Sequence, residues 1–549
     1  MFASFRLSMT WLHTWLGLVL GFVLMVVFFF GSLSVFDREI DRWAIPSTRF
    51  EPQPMPSFDR VLRPVFEQVK PDADAYAANI HRLHDASRGP APQRLALPAD
   101  EYWAYTTHRD PVLLAGVDFR VPQPKDPKAH NHIPSRVTVD PRNGQVLAAD
   151  QSLKIGSEFF YPLHYSLHGE WLRLGYWVVG LAAFGMLVAL VSGVVMHRKL
   201  LRELFTFRRQ KDAQRATLDL HNLTGVAALP FHFFFALTGL IIFAASVYLP
   251  ISATLLKPLH DQDAVLEAQH TGLPLARSGV VAALASVDAM VAAAQRRWAE
   301  RGRAGEVGFL KVHHLGDANS YVSIYRAGTD RVALLGDGMH FRASTGELLR
   351  EDPPPSAAAA VRQFLVGLHL QHFEHWALRW LYLFGGLLGC VCLATGFIFF
   401  VQKRAHKLAG AWGLRVVSAL TVASITGMLI ATAAMLVANR LLPAGTPNKG
   451  SWEQLSFWLA WLLALAHAAR WRALPQSLRA HPAWVPQCWA IAALAVSAVL
   501  LNGISTGDHL LKTLSQPYWP VAGVDLALLT CAAVAAAVAR RLARVPSVP

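Results

Sequence analysis

Apolar stretches of about 20 residues recur eight times along the chain, roughly at 12–36, 172–196, 220–247, 376–401, 412–438, 452–470, 484–503 and 519–540. Each predicts a membrane-spanning helix, because inside a bilayer every backbone polar group must be satisfied within its own segment. Two long polar segments, about 37–171 and 248–375, interrupt this pattern. Both are rich in Pro and Gly and too long for simple connections, so each is expected to fold as a small α+β module. In the first, two β-like runs flank Pro141–Gly144, and Phe58–Val69 reads as a helix. In the second, strand-like runs flank Thr345-Gly346 and Val281–Arg301 reads as a helix.

Hydrophobic residues make up 53% of the 549 residues, too many for an ordinary soluble domain. The formal charge of +14 does not point to nucleic acid. The basic residues cluster in 197–215, 402–407, 470–481 and 540–544, beside the apolar spans. With eight spans these positions share one side, and the positive-inside rule places both termini in the cytoplasm. The N-terminal apolar run exceeds a signal-peptide core and reads as an uncleaved first span. Cys390, Cys392, Cys488 and Cys531 all lie in apolar segments and read as small hydrophobes. No C-x-x-C-H is present, which excludes covalent c-type haem attachment.

An internal repeat organises the first three quarters of the chain. Leu12-His13 through Gly17 matches Leu220-His221 through Gly225; Tyr161-Pro-Leu-His164 with His168 is echoed by Val366-Gly-Leu-His369 with His372; Ser192-Gly193 matches Thr395-Gly396. The spacings are 208, 205 and 203 residues. The repeat implies two copies of helix, inserted segment, helix, related by an approximate twofold axis. Residues 411–549 lie outside it and read as a scaffold or docking extension of about four spans.

Histidine placement carries the chemistry. His13, His221 and His197 fall at one end of the spans; His164, His168, His369, His372 and His375 gather at the other. A metal pair, a proton relay or axial ligation of b-type haem would each use such groups. A haem on the twofold axis takes one ligand from each repeat, which nominates His13 with His221 and His164 with His369. Alternatively, a helix continuing through Gly169 places His168 and His197 on one face. His221 and His232, eleven residues apart, share a face of an unbroken third span. His232 has no mate in the first repeat, where Leu24 stands, so it is either an asymmetric ligand or structural. His372 and His375 either serve a substrate or are solvated. Structural zinc is disfavoured by the absence of cysteine from these clusters. Proton pumping is disfavoured by the scarcity of acids in the spans, Asp525 being the clearest.

The LH-x-x-x-G openings, the LH motifs before spans two and four, Ala228–Gly239 (ALPFHFFFALTG) and Val139–Val146 (VDPRNGQV) together resemble the PepSY-associated transmembrane family. The resemblance covers about 1–410. It implies a mainly α, polytopic membrane helix bundle: a four-helix pseudo-twofold core, about four extra C-terminal spans and two small α+β periplasmic PepSY-like domains. The expected divisions are 1–36, 37–171 (first periplasmic domain), 172–219, 220–247, 248–375 (second periplasmic domain), 376–410 and 411–549. It further implies a bacterial inner-membrane oxidoreductase, with two haem b groups passing single electrons to periplasmic ferric siderophore and releasing Fe(II). No dinucleotide motif is present, so the donor is expected to be a quinol, a reduced flavin or a separate reductase, with the basic loop 197–216 as a candidate docking surface. A cytochrome b relay to another acceptor, or a non-enzymatic PepSY sensor or peptidase regulator, are the rival readings.

Overall fold

The computed structural model describes residues 4–106, 109–125, 131–147, 153–196, 213–244, 273, 275–333, 336–405, 407–408, 411–471 and 481–544. The chain divides into two compact units. A helical unit comprises Met1–Ser47, Asp150–Tyr248 and Trp376–Pro549; a sheet unit comprises Thr48–Ala149 and Leu249–His375.

In the helical unit the elements are α1 (Phe5–Val19), α2 (Gly21–Ser34), α3 (Asp37–Ala44), α4 (Leu174–Met196), α5 (Ala213–Ala227), α6 (Leu229–Phe243), α7 (Trp376–Ala405), α8 (Trp412–Val422), α9 (Met428–Leu441), α10 (Lys449–Ala469), α11 (Trp484–Thr506) and α12 (Trp519–Ala543). Among the described residues, five helices are long and apolar enough to cross a membrane: Trp171–Met196, Trp376–Ala405, Trp412–Leu441, Trp484–Thr506 and Trp519–Ala543. The first and third expected spans are broken, α1 to α2 by 58° and α5 to α6 by 62°. The expectation of one straight helix carrying His221 and His232 on a single face is therefore corrected. The break falls at Ala228 (φ −98°, ψ 7°), two residues before Pro230, which has no N–H to give to the preceding turn. The first break falls at Leu20 (φ −84°, ψ −18°), 208 residues earlier and without a proline. Gly21 follows it, and a Cβ there would come 2.8 Å from the Phe397 ring. The sixth expected span is the 21-residue α10, which stands outside the apolar set.

The C-terminal helices close on α3 through buried polar groups. Trp43 donates its indole N–H to Asp525 on α12 at 2.7 Å, and Asn502 on α11 reaches the other carboxylate oxygen at 3.4 Å. Arg440 on α9 donates to the Ala44 carbonyl and lies 5.1 Å from the Trp43 ring centroid. Glu453 on α10 is fully buried, accepting from Asn439 at 2.7 Å and from the Leu153 amide at 2.8 Å. Asp41 on α3 accepts from the Gly156 amide at 2.7 Å and the Ser157 hydroxyl at 2.5 Å. The extension thus fixes the chain where it leaves the first span and where it returns at Leu153.

In the sheet unit the two inserted segments form one antiparallel sheet of seven strands: β1 (Ala99–Tyr105), β2 (Leu113–Arg120), β3 (His132–Val139), β4 (Val307–His313), β5 (Tyr321–Arg326), β6 (Gly338–Arg342) and β7 (Leu348–Glu351), in the order β3-β2-β1-β4-β5-β6-β7. Two separate modules were the expectation; instead β1 pairs with β4, Tyr102 opposite Val312 and Ala104 opposite Leu310. An exposed β1 edge would offer unpaired backbone groups to another chain, and β4 covers it. β4 and β5 begin 208 residues after β1 and β2, so the repeat extends through the sheet.

One face buries Val117, Val312 and Ile324 with Phe66 and Trp298 of the covering helices Arg63–Gln68 and Val287–Glu300. The helix starts cap each other: Asp288 accepts from the Phe58 amide (2.7 Å) and Ser57 hydroxyl (2.5 Å), while Asp59 accepts from the Asp288 amide (3.1 Å) and Ser286 hydroxyl (2.8 Å). The opposite face is polar. There Glu101 meets Lys311 at 2.7 Å and His313 at 3.2 Å, and Ser323 bridges His313 and His340.

Two outcomes follow. Trp43→Phe leaves the Asp525 carboxylate short of a buried donor and should cost about 1–3 kcal/mol, read as a lower unfolding temperature in detergent; melting unchanged from the parent would remove the α3 clamp from the account. Burial pushes the Glu101 carboxyl up, but His313 and Lys311 outweigh it and hold the group well below the usual range. Burial lowers His313. A depressed carboxyl stabilises the fold above its ordinary pKa and loses that contribution as pH falls. Glu101→Gln should therefore flatten the acid limb of the stability profile, and identical acid limbs would refute the coupling.

Candidate functional site

His13 on α1 and His221 on α5 are brought together, with ring centroids 6.2 Å apart and planes at 78°. His13 Nδ1 lies 2.8 Å from the Ala189 carbonyl on α4, and His221 Nδ1 lies 2.8 Å from the Cys392 carbonyl on α7. A carbonyl only accepts, so Nδ1 carries the proton and the lone pair of each neutral ring resides on Nε2. That is the tautomer of a metal-bound histidine whose second nitrogen is tied to the protein.

The glycines of the repeat explain how the rings fit. Gly193 stands four residues after Ala189, and a Cβ there would come 3.3 Å from His13 Cε1; Gly396 stands four after Cys392, and its Cβ would come 3.3 Å from His221 Cε1. Each ring therefore lies against a helix at a glycine while its N–H reaches the carbonyl one turn earlier. Ser192 and Thr395, the neighbours of these glycines, bond the same Ala189 and Cys392 carbonyls at 3.0 and 2.9 Å.

His164 is built by the same rule. Its Nδ1 donates to the Val27 carbonyl on α2 at 2.8 Å, and four residues later a Cβ on Gly31 would come 2.5 Å from that nitrogen. In the sequence, Gly239 stands 208 residues after Gly31, and His369 is the image of His164. His369 itself belongs to the sheet unit, in the last turn of Ala357–Leu370, a helix closed by Gln371 in the left-handed region (φ 57°). His372 and His375 follow it as exposed residues.

The remaining candidates are placed differently. The helix expected to run through Gly169 stops at Tyr165, and Leu167 and His168 turn left-handed (φ 52° and 54°). His168 donates through Nε2 to the Phe159 carbonyl at 3.0 Å and stacks on the Phe159 ring at 4.7 Å, so it shares no helical face with His197. His197 lies outside the described residues. His232 is buried and donates through Nε2 to the Gly385 carbonyl on α7 at 3.1 Å, against Phe28. The residue that sequence reasoning missed is Cys392, read only as a hydrophobe. Its sulfur is 3.6 Å from His221 Nδ1, whereas Ala189 occupies the matching place beside His13. The repeat spacing of Ala189 and Cys392 was the available signal.

Helices long and apolar enough to span a bilayer, an inserted antiparallel sheet and a repeat-built histidine pair define a multi-pass membrane protein. The chain belongs to the PepSY-associated TM region family, whose model matches residues 10–403. It is 25% identical over 370 residues to uncharacterized protein PA4219 of Pseudomonas aeruginosa, covering 65% of this chain and 88% of that protein. Helices α8 to α12 lie beyond the family match.

The glycine geometry makes a graded prediction. Gly31→Ala should displace His164 and cost about 1–3 kcal/mol by overpacking, whereas Gly193→Ala and Gly396→Ala, with clearances of 3.3 Å, should cost less. Thermal unfolding of the three variants checks this, and an equal cost at all three would contradict the ring placement.

Proposed function

We propose that the protein is a haem-dependent reductase of the bacterial inner membrane that delivers single electrons to periplasmic ferric siderophore and so releases Fe(II). The observation that carries the reading is the His13–His221 pair. Its ring centroids lie 6.2 Å apart, a separation at which both imidazoles would serve one ion through Nε2. Among the described residues no group of three or more His, Cys, Asp or Glu is arranged to hold a metal ion. A pair alone suits an ion that draws its other ligands from a macrocycle.

Bound there, haem b supplies a one-electron iron couple within a bilayer that otherwise excludes charge. The chain's own residues do the rest. His13 and His221 present Nε2; the Ala189 and Cys392 carbonyls hold the rings in orientation and raise their basicity; Gly193 and Gly396 leave the rings room. His164 offers a ligand of the same construction for a second haem. His168 and His232 commit Nε2 to carbonyls and serve the fold in this reading. On the substrate side, siderophores hold hard Fe(III) through oxygen, and reduction gives a softer, more labile Fe(II). The electrons come from a separate reductase, a reduced flavin or a quinol.

His13→Ala and His221→Ala should each lower the haem-to-protein ratio, measured by pyridine haemochrome, while the protein stays folded in the membrane; unchanged ratios in both would sink the pairing. Anaerobic stopped flow of dithionite-reduced protein against ferric siderophores then separates a reductase from a relay or a sensor. Haem that fails to reoxidise with every siderophore type tried counts against reduction, and a preparation without a Soret band removes both redox readings.

A further inference from the structure

Helix Ile155–Phe160, continued as Tyr161–Tyr165, carries His164 in its last turn, and its start lies against α3. The cap residue Lys154 makes no side-chain cap bond, so the first amides need an acceptor from elsewhere. Asp41 of α3 supplies it. One carboxylate oxygen accepts from the Gly156 amide at 2.7 Å and the Ser157 amide at 3.2 Å, and the other accepts from the Ser157 hydroxyl at 2.5 Å. Those amides are the second and third of the helix, the pair that a capping side chain ordinarily serves. A Cβ on Gly156 would collide with the Asp37 carbonyl, so glycine lets the helix start come this close to α3. One stretch of chain therefore holds both ends of the helix: Val27 and Gly31 of α2 receive the His164 ring, and Asp41 of α3 receives the first turn.

Asp41 is buried, and the cations around α3 are engaged elsewhere: Arg38 with Asp37 at 3.5 Å, Lys154 with Glu158 at 3.9 Å, Arg379 with Glu39 at 2.7 Å and Arg440 with the Ala44 carbonyl. Arg42 is buried on the same helix, Asp525 is held by Trp43 and Asn502, and burial pushes Tyr161 up to about 12, which keeps it neutral. Burial pushes the Asp41 carboxyl up to about 7 against the pull of the Ser157 hydroxyl, with Asp37 raising it and Arg38 lowering it. Burial thus favours the acid, and the three donors favour the ion. On protonation the acid O–H turns to the Ser157 oxygen, and the two amides are left with an uncharged acceptor that holds them about half as strongly. We infer that Asp41 is a positioning residue for His164, fixing the helix that delivers the ring when ionised and slackening its hold when protonated. The repeat gives this hold no second copy, since Leu249 stands 208 residues after Asp41. The inference rests on the reading of His164 as a haem ligand.

The test follows haem transfer from the full chain in nanodiscs to excess apomyoglobin between about pH 6 and 8. The phase that belongs to His164 is the one that His164→Ala removes. In the parent that phase should quicken about tenfold as pH falls through the Asp41 range. The step should be missing in Asp41→Asn, whose amide stays uncharged. It should move up by about one pH unit in Ser157→Ala, which removes a donor to the ionised form and keeps the test alive should the asparagine variant fail to fold. Haem-free protein gives a second readout. A carboxylate that burial disfavours weakens the fold as pH rises from its ordinary 3.8 through about 7, so the unfolding temperature of Asp41→Asn relative to the parent should climb by several degrees over that range. Identical pH profiles in the parent and both variants, or a melting difference independent of pH, would overturn the inference while leaving His164 as a ligand. A His164→Ala variant that keeps every phase overturns it together with the ligand reading.

Discussion

An imidazole N–H inside a bilayer has no water to turn to, and in the helical unit His13, His164, His168, His221 and His232 each reach a backbone carbonyl. Helical carbonyls are already engaged in the ladder, so the ring must approach close enough to share one, and a Cβ one turn further on would block it. Glycine at that position removes the obstruction. The consequence is a three-part unit, carbonyl, glycine four residues later and histidine from a facing helix, that occurs at His13, His164 and His221 through Nδ1 and at His232 through Nε2, with Gly385 and Gly389. Leaving such a donor unbonded would cost about 1–3 kcal/mol, more than most single contacts return. The same bond fixes the tautomer, so one interaction settles both stability and which nitrogen faces a ligand.

Duplication then multiplies the unit. The breaks at Leu20 and Ala228 are 208 residues apart, as are His13 and His221. In the sheet unit β1 and β4 share the same offset and pair antiparallel, so their ladder maps onto itself when the repeats are exchanged. The reciprocal caps of Asp59 and Asp288 obey the same exchange, each carboxylate closing the other's helix start. Departures from symmetry are correspondingly informative. His232 stands where Leu24 does and spends its N–H on Gly385; Cys392 stands where Ala189 does and places a polarizable sulfur beside one ring of the pair. The two halves of a symmetric frame thus become chemically unequal through single side chains.

Spans, repeat and the His13–His221 pairing were legible in the sequence because hydrophobic length and repeated spacing are local or linear signals. The breaks were harder to read. Pro230 marks one of them, but its image, Phe22, gives no warning; beside the 58° bend at Leu20 the Phe22 ring stacks on Phe397, a contact between distant parts of the chain. The continuous sheet was invisible for a different reason: strand pairing between segments some 200 residues apart leaves no trace in either one's periodicity. His168 was misplaced because an apolar run was extended through Gly169, whereas the left-handed backbone at Leu167 and His168 ends the helix first. Sequence spacing assigns faces only where the helix is unbroken.

The extension bears on the same constraint from outside the repeat. Asp525 and Glu453 are fully buried, which in a membrane helix is tolerable only with fixed partners. Their partners are Trp43 of α3, Asn502, Asn439 and the Leu153 amide, so the charges are satisfied by joining α10, α11 and α12 to the chain on either side of the first inserted segment. Hydrophobic contact between helices is a weak source of specificity in lipid, where the tails are equally apolar. Buried polar bonds with few alternatives supply it instead. Helices beyond the family match thereby act on the repeat core through α3, and the asymmetry they impose falls on the first copy, whose exit from α2 they hold in place.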